Sequence, residues 1–77
     1  MGTVQEEFGA RIRELRTKRG WTQEQLANAA RRHWTYIGGI ERGERNITLQ
    51  VAEDLATALG VTISELFHGL GQDRTNK

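Results

Sequence analysis

The stretch that decides the fold runs from residue 21 to residue 46 and reads WTQEQLANAARRHWTYIGGIERGERN. Thr22 and Gln25 have the spacing of a capping box, and this pair predicts the start of a helix over about 22–30. A second, shorter apolar pattern predicts a helix over about 34–42. Because only three residues separate the two helices, they must cross steeply. This geometry leaves the second helix able to enter the major groove of DNA.

The flanking sequence predicts three more helices, at about 3–19, at about 48–59 and in a short final segment that begins at Thr62. Proline is absent, and apolar residues recur at intervals of three or four, as on one face of a helix. Capping-box spacing occurs again at Thr3–Glu6 and at Thr62–Glu65. The positions expected to face one core are Val4, Phe8, Ile12, Leu15, Leu26, Ala27, Ala30, Ile37, Ile40, Val51 or Ala52, Leu55 and Leu59. The sequence therefore predicts an all-α, compact five-helix fold.

Length and composition indicate one small domain. The chain has 77 residues, of which 36% are hydrophobic, and a second core would need roughly another 100 residues. We expect the domain to occupy residues 1–70 and the polar segment 71–77 to be frayed. No apolar run approaches the ~18 residues of a membrane span. With no visible signal peptide and no cysteine, we expect a cytoplasmic location and no membrane partner.

Positive charge gathers in the middle of the chain. Residues 11–45 carry nine Arg or Lys side chains against four Glu, whereas residues 1–10 and 46–77 are each net negative. A basic middle between acidic ends is consistent with a face that meets a polyanion. A solvated surface is the more common reason for such a charge run, so the charge alone does not identify a partner.

The deciding stretch resembles the XRE-type helix–turn–helix family, which includes phage repressors and Cro proteins. The resemblance rests on residues 21–27, 35–37 and 40–46, and it extends over about residues 6–68. Within the family, the run 35–46 is most similar to controller proteins of restriction–modification systems. The resemblance implies a lambda-repressor-like fold and a dimeric, sequence-specific transcriptional regulator that occupies a double-stranded DNA operator. The alternative is an antitoxin or another protein-interaction module of the same fold.

The candidate DNA-binding residues lie on the second and third helices and just after them. Gln23 is in the first turn of its helix, where free backbone N–H groups favour a phosphate. Trp34 stands where similar controllers tend to carry Arg. Because indole has a single donor, it cannot read guanine bidentately, so Trp34 contacts a thymine methyl group or fills the core. The full set expected at DNA, each with an ordinary surface or packing role as the alternative, is Gln23, Trp34, Thr35, Tyr36, Gly38, Gly39, Arg42, Arg45 and Asn46.

Two pairs of residues are unusual for a helix–turn–helix. Gly38 and Gly39 lie inside a predicted helix, where each costs up to about 1 kcal/mol relative to Ala. They either allow close approach to DNA or are tolerated small residues. Arg31 and Arg32 replace the Gly and the aliphatic residue usual in the family's turn. This requires a left-handed Arg31 and an Arg32 whose stem packs on the core, and it adds two charges near DNA that would raise non-specific affinity.

The resemblance further implies an ion pair between Arg16 and Glu41 that ties the first helix to the third. The final helix is too short to bury all of its apolar residues, and a twofold dimer would cover them. The expected interface residues are Val61, Ile63, Leu66 and Phe67. Such a dimer would place two recognition helices about 34 Å apart, and it predicts a pseudo-palindromic operator.

Enzymatic chemistry has little support in the sequence. The only serine is Ser64, the two histidines His33 and His68 are far apart in the chain, and there is no cysteine nucleophile. No spacing of His and acidic residues resembles a metal site. We therefore expect no catalytic residue, no metal and no cofactor, and we expect His33 to cap the third helix.

Overall fold

The computed structural model describes residues 2–71, so the segment expected to be frayed lies outside the described residues except for Gly71. Within this range the chain forms five helices. They are α1 (Val4–Lys18), α2 (Gln23–Ala30), α3 (Trp34–Glu41), α4 (Leu49–Leu59) and α5 (Ile63–Phe67). The all-α prediction is confirmed, and the four helices with predicted bounds differ from them by at most one residue at either end. No helix of residues 2–71 is long and apolar enough to cross a membrane.

Threonine side chains begin four of the five helices. Thr3, Thr22 and Thr62 each form the predicted capping box with the Glu or Gln three positions later. Thr48 caps α4 through its hydroxyl, without the reciprocal contact. Each cap satisfies backbone N–H groups that the first turn of a helix leaves without a partner. Local sequence therefore defines these helix starts.

One apolar core holds the helices together. α1 packs on α3 and α5, and α4 packs on α2 and α5. Of the predicted core positions, only Val4 and Leu15 are not buried. Val4 is 46% exposed, because it lines an open groove with Phe8, Ile47 and Phe67 instead of entering the closed core. The core consists of Phe8, Ile12, Leu26, Ala27, Ala30, Ile37, Ile40, Val51, Ala52, Leu55, Ala56, Leu59 and Leu66.

Gly9 permits the close crossing of α1 over the end of α3. A Cβ atom at this position would lie 2.3 Å from the carbonyl oxygen of Ile40 and 2.7 Å from that of Glu41. Because both neighbours are backbone atoms, no side-chain movement could relieve the clash. Gly9 therefore sets the distance between the first helix and the third, a role that no local sequence pattern indicates.

The turn between α2 and α3 is built on two arginines. Arg31 adopts the left-handed conformation expected of it, with φ 59° and ψ 42°. Arg32 is half-buried and forms an ion pair with Asp54 of α4. Hydrogen bonds from Gln50 and from Arg32 lower the pKa of the Asp54 carboxyl group. The charge of Arg32 is directed at α4 and paired there, and the suggested contribution of the two arginines to DNA affinity stays a prediction.

Candidate nucleic-acid interface

α3 has two sides with different surroundings. Ile37 and Ile40 point into the core and are fully buried. Thr35, Gly38 and Arg42 follow one another at intervals of three and four residues, so they share the opposite side of the helix. We call this side, together with Gly39, the outer face of α3. Within residues 2–71, the helices that pack on α3 are α1 and α2. The outer face is covered by side chains and not by another helix.

Two arginines lie along the outer face over the glycines. A Cβ atom at Gly38 would lie 3.1 Å from Nη1 of Arg42 and 3.5 Å from Oε1 of Gln23. A Cβ atom at Gly39 would lie 3.1 Å from both Cγ and Nε of Arg45. The glycines therefore provide space in which Arg42 and Arg45 rest against the helix backbone. The sequence did not suggest this role, and the close approach of DNA at the glycines stays a prediction.

Within the described part of the chain, neither of these two arginines forms a strong ion pair. The guanidinium of Arg45 lies 5.3 Å from the centre of the Tyr36 ring, and Arg45 makes no ion pair within residues 2–71. Arg42 pairs with Glu44 at 3.1 Å, but both side chains are well exposed. Exposed ion pairs contribute about 0–1 kcal/mol and are screened by salt. Both arginines can therefore turn toward a phosphate at little cost.

A buried polar network holds α3 to the rest of the fold. Arg16 donates two hydrogen bonds to Glu41, at 2.6 and 3.0 Å, and a third to the carbonyl oxygen of Trp21 at 2.8 Å. The side chains of Arg16 and Glu41 are 12% and 4% exposed. The hydrogen bond to Glu41 raises the pKa of the Arg16 guanidinium, against the opposing effect of burial. The ion pair expected from the resemblance is thus present, with both charges enclosed.

Gln23 joins the same network from the start of α2. Its Nε2 donates to Oε1 of Glu41 at 3.1 Å. This hydrogen bond fixes the orientation of the amide, with Oε1 turned toward the backbone of Gly38. In the first turn of α2 the N–H of Gln25 is capped by Thr22, which leaves the N–H groups of Gln23 and Glu24 available to a phosphate. The contact between Gln23 and a phosphate stays a prediction.

The first turn of α3 is organised by His33. Its Nδ1 accepts a hydrogen bond from the backbone N–H of Thr35 at 3.2 Å and lies 2.8 Å from the Thr35 hydroxyl oxygen. His33 is therefore the N-cap of α3, as predicted. Trp34 is 50% exposed, and its ring stacks on His33 with a centroid distance of 6.2 Å. The suggestion that Trp34 fills the core is wrong, because Ile37 and Ile40 occupy the buried side of the helix.

The remaining predicted DNA contacts lie at the other end of α3. Tyr36 is half-buried and packs on the core beneath Arg45. Asn46 is exposed, and its side-chain oxygen accepts a hydrogen bond from Gln5 of α1. The structure thus brings Gln23, Gly38 and Arg42 together on one flank of α3. It places Tyr36, Gly39 and Arg45 on the other flank, with Trp34 and Thr35 at the start of the helix and Asn46 beyond its end.

The predicted dimer residues do not share one environment. Ile63 is 42% exposed and Phe67 is 36% exposed, while Val61 is half-buried against the core. Phe67 also stacks on Phe8, with ring centres 5.2 Å apart. Leu66 was wrongly assigned to the interface, because it is completely buried and closes the monomer core.

One large apolar side chain was missed by the sequence analysis. Leu49, the first residue of α4, is 82% exposed. It falls outside the apolar stripe that continues through Val51, Leu55 and Leu59, and this departure from the pattern was a signal in the sequence. Within residues 2–71, no group of three or more His, Asp or Glu side chains is placed to hold a metal ion.

Comparison with known proteins agrees with this geometry. A family model described as a helix-turn-helix domain matches residues 7–68. Control protein C.BamHI of Bacillus amyloliquefaciens is 43% identical over 60 residues, which are 77% of this chain and 74% of that protein. The crystal structure of the restriction-modification controller protein C.AhdI from Aeromonas hydrophila has a TM-score of 0.80 and 48% identity, covering 82% of this chain and 96% of that one.

A third relative has been crystallised with DNA. The restriction-modification controller protein C.Esp1396I, a tetramer in complex with its natural 35 base-pair operator, has a TM-score of 0.82 and 30% identity. The match covers 99% of this chain and all of that one. The family match extends over most of the chain, and these relatives are similar to it in both sequence and structure. The chain therefore belongs to the helix-turn-helix family, and restriction–modification controller proteins are among its relatives.

Proposed function

We propose that this protein is a dimeric transcriptional regulator that binds a pseudo-palindromic operator in double-stranded DNA. The observation that carries the proposal is the outer face of α3, over which Arg42 and Arg45 lie in weakly held positions. The controller relatives support the same assignment, including one crystallised with its operator. We further propose that this chain serves as the controller of a restriction–modification system in the cytoplasm.

On binding, α3 enters the major groove with its first turn toward the base edges. Arg42 and Arg45 leave the helix surface and contact phosphates, which position the protein on the duplex without reading sequence. The first turn of α2 and the residues that follow α3 contribute further phosphate contacts. Gln23, Tyr36 and Asn46 are the residues proposed for them. The glycines leave few side chains for direct reading, so part of the specificity comes from the shape of the DNA.

A twofold dimer through α5 gives the operator its symmetry. Ile63 and Phe67 present exposed apolar surface, with Val61 beside them. Covering this surface in a dimer would stabilise a domain too small to bury a large core. The two copies of α3 would then contact half-sites about 34 Å apart. We propose that regulation consists of occupying this site, with no catalytic step.

Selection from a pool of random duplexes tests the proposal. The protein is incubated with the pool at two salt concentrations, and the bound duplexes are amplified and sequenced over several rounds. We expect enrichment of an inverted repeat whose half-sites are centred about one helical turn apart. Binding without enrichment, lost steeply as salt rises, would contradict sequence-specific regulation. Failure to bind at either salt concentration would favour the antitoxin or protein-interaction alternative.

The dimer is tested separately with two variants of α5. Phe67→Asp and Ile63→Asp each place a charge in the proposed interface, and sedimentation equilibrium should show monomers for both. Phe67 also contacts Phe8, so Phe67→Asp can lose its dimer because the monomer unfolds and not because the interface is broken. Ile63 is exposed in the monomer, and circular dichroism should show that its variant retains its helices. A dimer that survives both substitutions would contradict the α5 interface.

A further inference from the structure

Trp34 is a large apolar side chain held out toward solvent at the start of the recognition helix. We propose that its ring reads the C5 methyl group of a pyrimidine in the major groove. The inference rests on the proposed function and adds the chemical group that this position recognises. Thymine carries such a methyl group, and 5-methylcytosine presents the same group at the same place in the groove.

The position of Trp34 in α3 places it near base edges rather than phosphates. It is the first residue of the helix, and residues of the first turn are those that reach bases when such a helix docks. Half of its surface is exposed in the free protein. His33 supports one face of the ring and at the same time caps the helix. The indole is therefore held in place before DNA arrives.

The residue one turn later leaves room for a base beside the ring. Side chains four positions apart are neighbours on a helix, and the neighbour of Trp34 in this direction is Gly38. In the free protein the side chains of Arg42 and Gln23 lie over Gly38, so the edge of a base can approach the helix backbone next to the indole once Arg42 turns toward a phosphate, as proposed above. A larger residue at position 38 would hold the base away from the ring.

The chemistry of the indole selects an apolar partner. Indole has one N–H donor and no acceptor, so it cannot form the bidentate contacts by which side chains recognise guanine or adenine. The exposed C5 methyl group is the apolar feature that distinguishes thymine in the major groove. Contact between this methyl group and the ring removes both from water, which is favourable.

A consequence is sensitivity to cytosine methylation. If the position that faces Trp34 is changed from thymine to cytosine, the methyl group is lost and binding weakens. Methylation of that cytosine at C5 restores the methyl group without changing the Trp34 contact. The affinity for such a site then depends on whether the DNA carries the modification.

Removing one methyl group at a time from the DNA tests the inference. The duplex obtained by selection is synthesised with each thymine replaced in turn by deoxyuridine, which removes the methyl group alone. Affinities are measured by fluorescence anisotropy for the wild-type protein, Trp34→Ala and Trp34→Phe. Leu49→Ala serves as a matched control, because Leu49 is a large exposed apolar residue that belongs to α4 and not to α3. A second set of duplexes carries cytosine or 5-methylcytosine at the sensitive position.

We expect one thymine in each half-site at which deoxyuridine weakens wild-type binding about fourfold, which corresponds to about 0.8 kcal/mol for one methyl group. Trp34→Ala should bind the two duplexes equally, while Trp34→Phe and Leu49→Ala should retain most of the difference. The wild-type protein should also prefer 5-methylcytosine to cytosine by a similar factor. If the protein prefers thymine to deoxyuridine but binds 5-methylcytosine and cytosine equally, the proposed recognition of 5-methylcytosine is wrong and Trp34 recognises thymine alone.

Two results would overturn the inference while leaving the proposed function intact. One is equal binding of thymine and deoxyuridine duplexes at every position. The other is an undiminished methyl effect in Trp34→Ala, which would assign the contact to another residue. Because Trp34 is exposed, its variants should melt close to the wild-type temperature, and this is checked before binding is compared. Failure of the wild-type protein to bind any duplex would instead overturn the proposed function and this inference together.

Discussion

The two sides of α3 are built in different ways. The inner side is fixed by backbone contact, where Gly9 meets the carbonyl groups of Ile40 and Glu41, and by a buried ion pair to Glu41. The outer side carries Gly38 and Gly39, which are covered by the side chains of Arg42, Arg45 and Gln23 and not by backbone. The inner side therefore sets where the helix lies, and the outer side can change its contacts when DNA binds. Substitutions on the inner side should alter stability, whereas those on the outer side should alter DNA binding.

The largest expected effect comes from Gly9→Ala. Its Cβ atom would lie 2.3 Å from a backbone oxygen, so α1 and α3 must move apart. We expect the free energy of unfolding to fall by about 3 kcal/mol, at the upper end of the cost of overpacking. Urea denaturation followed by circular dichroism measures this loss. A variant as stable as the wild type would show that the crossing is not constrained at Gly9.

Glu41→Ala should have the next largest effect. It leaves Arg16 enclosed without its carboxylate partner, and losing one partner of a buried pair costs about 3–5 kcal/mol. Arg16 retains its hydrogen bond to Trp21 and is partly exposed. We therefore expect the free energy of unfolding to fall by about 2–3 kcal/mol, which is at or below the lower end of that cost.

The matched control for Glu41→Ala is Glu44→Ala, which breaks an exposed ion pair with Arg42. It should change stability by less than about 0.5 kcal/mol. The double variant Arg16→Met/Glu41→Leu removes both charges and should recover much of the lost stability. Equal losses for Glu41→Ala and Glu44→Ala in denaturation would contradict the distinction between the two sides.

Arg45→Ala tests the outer side through DNA binding. Each phosphate contact contributes about 0.9 to the slope of log K against log salt, so the slope should decrease by about that amount for each protomer. Affinity should fall similarly for all sequences. Lys18→Ala is the control, since Lys18 ends α1 and lies beside Glu65 and His68 rather than on α2 or α3, and its salt slope should match the wild type. A changed sequence preference with an unchanged slope in Arg45→Ala would refute the phosphate assignment.

Gly38→Ala should have the smallest effect, in contrast to Gly9→Ala. Its Cβ atom would lie 3.1 Å from the flexible tip of Arg42, which can move, and at an ordinary contact distance of 3.5 Å from Oε1 of Gln23. Alanine favours the helix by up to about 1 kcal/mol relative to glycine, so the melting temperature should stay the same or rise slightly. A loss of stability similar to that of Gly9→Ala would show that the outer side is constrained as tightly as the inner side.

The helices and most of the core could be predicted because their signals are local. The threonine caps and the apolar spacing mark the helix starts and buried sides, and both features were found where expected. The pair Arg16–Glu41 was expected only through resemblance to a family, since its members are 25 positions apart. Gly9 was missed because its role depends on how closely two helices cross, and no local pattern records that distance.

The errors at the site have the same origin. Leu66 and Phe67 are adjacent apolar residues of one short helix, and the sequence cannot say which of them faces the core. The structure buries the first and exposes part of the second. The arginines over Gly38 and Gly39 come from one turn or more farther along the chain. Their positions depend on the helix end and the following turn, which periodicity does not describe.

The most direct test of the account is the specificity ratio of the wild-type protein. Fluorescence anisotropy compares the selected inverted repeat with a scrambled duplex of the same length and composition, at one salt concentration near 0.15 M. We predict that the repeat binds at least about 1,000-fold more tightly, as for sequence-specific regulators. Equal affinity for the two duplexes would contradict it, because α3 would then contribute only contacts to the DNA backbone.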